Sequence, residues 1–175
     1  MSTTDRRNDP AAHPIDIRPA RVADAAAVGE IWRRGWREAH LGRVPEELVA
    51  ARTPESFASR AAERVGDTTV ALVGRAVAGF VMVVGDEVEQ VYVAPEQRGT
   101  GVAERLLAEA ERQVAASAHD EAWLAVVPGN ARARRFYERC GWADGGRIAY
   151  PADTADGAVI VEARRYVKRV VARGG

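Results

Sequence analysis

Val91-Tyr92-Val93-Ala94-Pro95-Glu96-Gln97-Arg98-Gly99-Thr100-Gly101-Val102-Ala103 reads as a buried strand that runs into a glycine-bearing loop and then directly into a helix. Glycines let the backbone approach a ligand closely, and the first helical turn leaves its N–H groups unpaired. The helix dipole adds partial positive charge there, so phosphate or pyrophosphate is the natural occupant. Arg98 can add a charge-assisted contact. A Gly-x-Gly by itself also makes a plain tight turn. The dinucleotide pattern G-x-G-x-x-G fails because position 104 is Glu, and the Gly-Lys-Ser/Thr of a Walker A loop is absent. A phosphate cradle of another kind remains.

Working outward, Glu87 to Val93 alternates as a strand, which predicts Glu87, Glu89, Val91 and Val93 on one face. After the loop, Val102, Leu106, Leu107, Ala110 and Val114 mark the buried stripe of a long helix. Ala122 to Val127 is a strand. Pro128-Gly129-Asn130 then turns into a helix carrying Ala133, Phe136, Tyr137 and Cys140, closed by Gly141. Ile148–Tyr150 and Val159–Val167 form a last antiparallel pair. Upstream, Ile15 to Arg18 is a short strand closed by Pro19, and Asp24 is the N-cap of a helix with Val28, Ile31, Trp32, Gly35, Trp36 and Ala39 at helical spacing. Pro45 and Pro54 each open a further helix. Thr53 caps the second, whose stripe is Phe57, Ala61 and Val65 and which ends at Gly66. Thr69–Val73 and Val77–Val84 make a hairpin about Gly74-Arg75. Hairpins beside strand–helix–strand units imply an α/β architecture, a mixed sheet with helices on its faces.

The chain has 175 residues, 47% of them hydrophobic, enough for one core. One domain is expected over residues 15–172, after a disordered lead-in at 1–14. Lys+Arg 25 balances Asp+Glu 25, so no global charge draws the chain to nucleic acid or an anionic membrane. The one cysteine, Cys140, excludes an intrachain disulfide and fits a reducing compartment. With no transmembrane run and no secretory signal, the expected location is the cytoplasm. His13, His40 and His119 stand far apart, so no metal is expected.

These residues resemble the GNAT superfamily of N-acetyltransferases. Its Arg/Gln-x-x-Gly-x-Gly/Ala signature matches Arg98 to Ala103, and Glu87 to Pro95 looks like its fourth strand. Asn130 to Trp142 (NARARRFYERCGW) resembles its N-x-x-A-x-x-F-Y-E-x-x-G-F run. Ile31 to Pro45 is similar to the W-R-x-A-Y-x-G-x-x-P run of many bacterial members, with His40 in place of the usual Tyr. The resemblance covers residues 15–167. It implies a mostly antiparallel sheet of six or seven strands, parted between strands 4 and 5, with helices on both faces.

It also implies acetyl-CoA as acyl donor, an amine acceptor and direct transfer without a covalent enzyme intermediate. The strand groups of Val91 and Val93 would bond the pantetheine arm. Arg98 and the amides of Gly99, Thr100, Gly101, Val102 and Ala103 would hold the pyrophosphate. Asn130 and Phe136 would contact the arm, Arg139 would reach the adenosine end, and Tyr137 would act as acid toward the thioester sulfur. Glu87 or Glu89 would activate a water as base, and Trp36 and His40 would line the acceptor pocket. Dimers are common in the family.

Plainer readings stand beside these. Asn130 is a good helix cap, Phe136 and Tyr137 suit a core, and Arg139 suits a solvated face. Cys140 reads as a small buried hydrophobe, Trp32 as core, and Glu87 and Glu89 as a solvent-facing pair. A non-catalytic acyl-CoA-binding module is therefore a second reading. A toxin acting on aminoacyl-tRNA would need a basic stripe, for which Arg33, Arg34, Arg37 and Arg43 are the candidates. Acceptor specificity is expected in the loops Leu41–Pro54 and Gly145–Gly157.

Overall fold

The computed structural model describes residues 13–171. Most of the expected lead-in, and the expected domain end at 172, lie outside the described residues.

Seven strands form one sheet in the order β1-β2-β3-β4-β5-β7-β6. They are β1 (Ile15–Pro19), β2 (Thr68–Val73), β3 (Ala76–Val84), β4 (Glu87–Val93), β5 (Glu121–Val126), β6 (Ala143–Thr154) and β7 (Gly157–Arg169). All neighbours are antiparallel except β4 and β5, which run parallel and share a single register pair, Glu87 with Trp123. Trp123 secures that point twice. Its main-chain N–H donates to the Asp86 carbonyl (3.0 Å), and its indole donates to the Asp86 carboxylate (3.1 Å). Beyond it the strands part, as the resemblance implies.

The helices cover both faces. Helices α1 (Ala25–His40), α2 (Glu46–Ala51) and α3 (Pro54–Glu63) lie on one side, where Trp32, Trp36, Phe57 and Phe80 pack together. Helices α4 (Val102–Ala116) and α5 (Ala131–Arg139) lie on the other, where Leu106, Leu107, Val114, Leu124 and Tyr166 form the second core. The expected stripe of α4 is buried in full. Thr53 caps α3 as its sequence predicts, accepting the Ser56 N–H at 3.2 Å.

Four expectations need correction. Asp24 stands at the N-cap position of α1 but does not bond the helix; its carboxylate pairs with Arg18 (2.7 Å) and accepts the Arg21 N–H (2.7 Å). Helix α3 stops at Glu63, and Val65–Asp67 is a short 3-10 turn. The last hairpin is far longer than Ile148–Tyr150 suggests. Gly145 and Gly146 do not form a loop there; a register shift between Asp144 and Arg147 absorbs them within β6.

The fourth correction bears on the site. Met82 pairs with Gln90 while Val83 pairs with Val88, so Glu89 is the extra residue of a β-bulge. A bulge resets the alternation of two. Val88, Val91 and Val93 therefore share the α4 face, while Tyr92 packs on the α1 face. The glutamates do not share a face with Val91 and Val93.

Tyr92 also explains a glycine inside α1. A Cβ on Gly35 would lie 2.3 Å from Tyr92 Cδ1. Alanine is ordinarily favoured over glycine in a helix by about 1 kcal/mol. Here Gly35→Ala should instead destabilise the fold by about 1–3 kcal/mol, the usual cost of overpacking. Urea unfolding checks this, and a variant as stable as the parent would refute the contact.

Candidate active site

Gly99 and Gly101 take φ of +74° and +89°, a region that glycine alone enters freely. The chain between them turns so that α4 begins without a side-chain cap. Among the described residues no acceptor takes the N–H groups of Gly99, Thr100, Gly101, Val102 or Ala103. A Cβ built on either glycine meets nothing within 4 Å, so the space in front of these donors is open. Donors that are free, convergent and at a positive helix end suit a phosphate group. Arg98 is exposed beside them and pairs with Glu38 of α1 at 2.5 Å. Arg132 of α5 approaches the same carboxylate at 3.7 Å.

The parted strands open into a cleft of about 170 Å³. On its β5 and α5 side stand Val126, Asn130, Ala133 and Tyr137. Asn130 is the N-cap of α5, its side-chain oxygen accepting the Ala133 N–H at 3.2 Å. Its amide NH2 has no acceptor among the described residues. Tyr137 is buried against Phe136, Trp142 and Tyr166, which fix its ring. Its hydroxyl has no protein partner among the described residues, and burial pushes the phenol above its ordinary value, so it remains a donor. Phe136 is half-buried on the α4-side core, and Arg139 is exposed. Cys140 packs against the same core, and burial raises its thiol.

The two glutamates have separate surroundings. Glu87 accepts the Tyr150 hydroxyl at 2.6 Å, and burial raises its carboxyl against the opposing effect of that bond. Glu89 lines the cleft and pairs with Arg64 at 2.6 Å. Trp36 and His40 line the opposite wall with their rings stacked (4.7 Å between centroids, 8° apart). The neutral His40 ring donates Nδ1–H to the Trp36 carbonyl at 2.9 Å, which leaves Nε2 an acceptor. Trp32 is fully buried, as a core residue. The expected specificity loops do border the cleft: α2 brings Leu48 and Arg52, and β6 brings Tyr150 and Asp153.

The sequence reading missed Arg52, Arg60, Arg64, Tyr92, Tyr150 and Asp153, all of which line this space. Tyr150 and Tyr92 lay in recognised strands. The arginines gave no pattern that separates them from the other surface cations. Of the candidate basic stripe, Arg33 pairs with Glu30 and Arg34 with Glu96, Arg43 bonds the carbonyls of Glu38 and Ala39, and Arg37 is exposed with no carboxylate partner among the described residues. Among the described residues no His, Cys, Asp and Glu cluster could hold a metal, and no helix is long and apolar enough to cross a membrane.

A mixed sheet parted at one parallel pair, with a ring of free amides at the next helix, defines an acyl-transfer type of groove. The profile described as "Acetyltransferase (GNAT) family" matches residues 26–142, and the chain belongs to the GNAT acetyltransferase family. No curated protein matches it. Among solved structures it is similar to PaiA N-acetyltransferase from Thermoplasma acidophilum in complex with coenzyme A. That pair shares 19% identity over 89% of this chain and 99% of that one, with a TM-score of 0.66. A GCN5-related N-acetyltransferase from Rhodopseudomonas palustris shares 19% identity over 93% and 99%, with a TM-score of 0.69. YncA from Salmonella typhimurium with acetyl-CoA shares 17% over 93% and 97%, with a TM-score of 0.65. At these identities the likeness is one of fold.

Burial lowers the His40 imidazole from 6.5 to about 4. The unfolded chain takes its proton near 6.5 and the folded chain only near 4. The contribution is therefore full above about pH 6.5 and is lost as pH falls toward 4, by at most ~3 kcal/mol. Unfolding free energy should fall more steeply over that window in the parent than in His40→Gln. Equal slopes in denaturant titrations would contradict the buried neutral ring.

Proposed function

We propose that the protein is a cytoplasmic N-acetyltransferase that moves an acetyl group from acetyl-CoA to a primary amine by direct attack. The observation that carries this reading is the set of unclaimed amides at the start of α4 beside the parted strands β4 and β5. Gly99 to Ala103 would hold the pyrophosphate. Val91 and Val93 would offer strand groups to the pantetheine arm, an added strand in the gap. The free amide of Asn130 would reach the same arm, Phe136 would pack on it, and Arg98 and Arg139 would face the nucleotide end.

Acetyl-CoA supplies a thioester whose carbonyl carbon bonds the amine nitrogen as the C–S bond breaks. An amine attacks only when neutral, yet its ordinary pKa is about 10.4, so a base must take a proton. Glu87 suits that task because burial raises its proton affinity and Tyr150 holds it in place. A water beside Tyr150 would carry the proton inward. Glu89, tied to Arg64 on the cleft wall, would attract the incoming ammonium. Tyr137 would steady the departing sulfur. A thiolate has a conjugate acid near about 8.5, below that of a buried phenol, so Tyr137 acts chiefly by donating a hydrogen bond.

Thiol release from acetyl-CoA with a panel of amines tests the reading. Gly101→Glu should abolish coenzyme A binding by calorimetry; unchanged affinity would count against the phosphate cradle. Thiol release absent for every amine despite binding would favour the non-catalytic module.

Tyr137→Phe, by losing the hydrogen bond to the leaving sulfur, and Glu87→Gln, by losing the base, should each lower kcat by about tenfold or more, with coenzyme A affinity kept. Glu87→Gln should also remove the acidic limb of the pH–rate profile. A variant with parental kcat would release its residue from the mechanism.

A further inference from the structure

Arg52 ends α2 with only 8% of its surface exposed, yet among the described residues its guanidinium makes neither an ion pair nor a hydrogen bond. Its Nε is buried without an acceptor. Arg60, in the last turn of α3, lies over the Trp32 ring at 4.6 Å and likewise has no carboxylate partner among the described residues. Both guanidinium groups line the same cleft as Tyr137. Asp153 acts on both and Glu89 acts on Arg60, but neither acid forms an ion pair with Arg52 or Arg60.

A buried cation without a partner is costly, and sequences keep such groups where a ligand supplies the missing charge. The other arginines of this region do have partners. Arg64 holds Glu89 and Asp67, and Arg18 holds Asp24. Burial lowers Arg52 to about 10, so it is still a cation at neutral pH. The coenzyme's phosphates do not account for this pair, because α2 and α3 cover the sheet face opposite to α4. Tyr92 lines the same cleft as Tyr137, Arg60 and Arg52.

We propose that the acceptor is a small amino acid whose carboxylate sits on Arg52 and Arg60 while its amine faces the thioester. Guanidinium and carboxylate match as planar, paired partners. The ammonium would find Glu89, and Glu87 by way of Tyr150, so both charges of an amino acid meet opposite charges within the one cleft. A simple monoamine or polyamine would leave both arginines unmatched. The proposal rests on the acetyltransfer reading for the fate of the amine, but not for the binding of the acid.

Matched pairs provide the test: L-leucine with 3-methylbutylamine, L-phenylalanine with phenethylamine, and L-methionine with 3-methylthiopropylamine. Calorimetry on the coenzyme A-loaded full chain gives affinity without requiring turnover. In at least one pair the acid-bearing member should bind about tenfold or more tightly. Arg52→Gln and Arg60→Gln should each erase that preference and leave coenzyme A affinity unchanged. Arg52→Lys, which keeps the charge but loses the fork, should retain part of it. Decarboxylated amines that bind as well as the acids, or no measurable binding of any acid, would overturn the proposal from the parent protein alone. So would a preference that survives both glutamine variants. Acids that bind with this preference but are never acetylated would uphold the arginine pair and remove the acetyltransfer reading instead.

Discussion

One register pair holds β4 to β5, and the geometry of the site depends on its being alone. Glu87 and Trp123 meet, Asp86 clamps Trp123 from two directions, and the strands separate beyond them. Open strand edges are a liability that proteins cover or pair. Here the edge lies inside the molecule, between two helical layers, where unpaired peptide groups are costly unless a ligand bonds them. A ligand with amide groups of its own, laid along the gap, resolves the difficulty as an added strand does. The bulge at Glu89 works on the same strand, turning the glutamate away from the apolar face and leaving Val91 and Val93 half-buried along the slot.

Electrostatics then divides the cleft. At the start of α4 the donors are neutral backbone amides reinforced by a helix dipole, which favour a phosphate while remaining stable when empty in water. Near α2 and α3 the donors are two charged side chains, Arg52 buried and Arg60 half-buried, which is a less comfortable resting state. Arg60 is partly relieved by the face of Trp32, a cation–π contact. Arg52 has no such relief. The other described arginines that lack a carboxylate partner, such as Arg37, Arg75 and Arg105, are exposed, so the shielded unpaired cations coincide with the cleft.

Much of this was legible beforehand. The phosphate loop could be read because three local signals coincide there: a strand stopped by Pro95, two glycines, and a heptad-like apolar run from Val102. Such signals need no tertiary contact to be interpreted. The seven-stranded order and the parting of β4 from β5 came through the resemblance, since no local pattern states which strands pair. The bulge was invisible because Glu87-Val88-Glu89-Gln90 alternates well enough to pass for regular β, and only the pairing with Met82 and Val83 reveals the extra residue. Gly145-Gly146 misled in the opposite direction, reading as a loop where β7 holds the chain in register on both sides. The arginines were unreadable for a different reason: burial of a cation is decided by which helix covers it, and nothing in Ala50-Ala51-Arg52-Thr53 announces that.

Helix α1 joins the two halves. Its outward Glu38 engages Arg98 at the phosphate loop and Arg132 on α5, so it touches both elements that flank the coenzyme slot. Its inward Trp36 and His40 line the cleft with stacked rings, where the proposed acceptor would enter, and Gly35 seats the Tyr92 ring. A small rotation of this helix would therefore alter the phosphate end and the acceptor end together. The tight seat of Tyr92 on Gly35 and the burial of Val28, Ile31, Trp32 and Trp36 resist such a rotation. In the proposed reaction, rigidity at α1 would fix the angle between a nucleophile delivered from one side of the sheet and a carbonyl held in the gap. Direct transfer between two bound molecules would depend on that angle, since it passes through no enzyme-bound intermediate that could correct it.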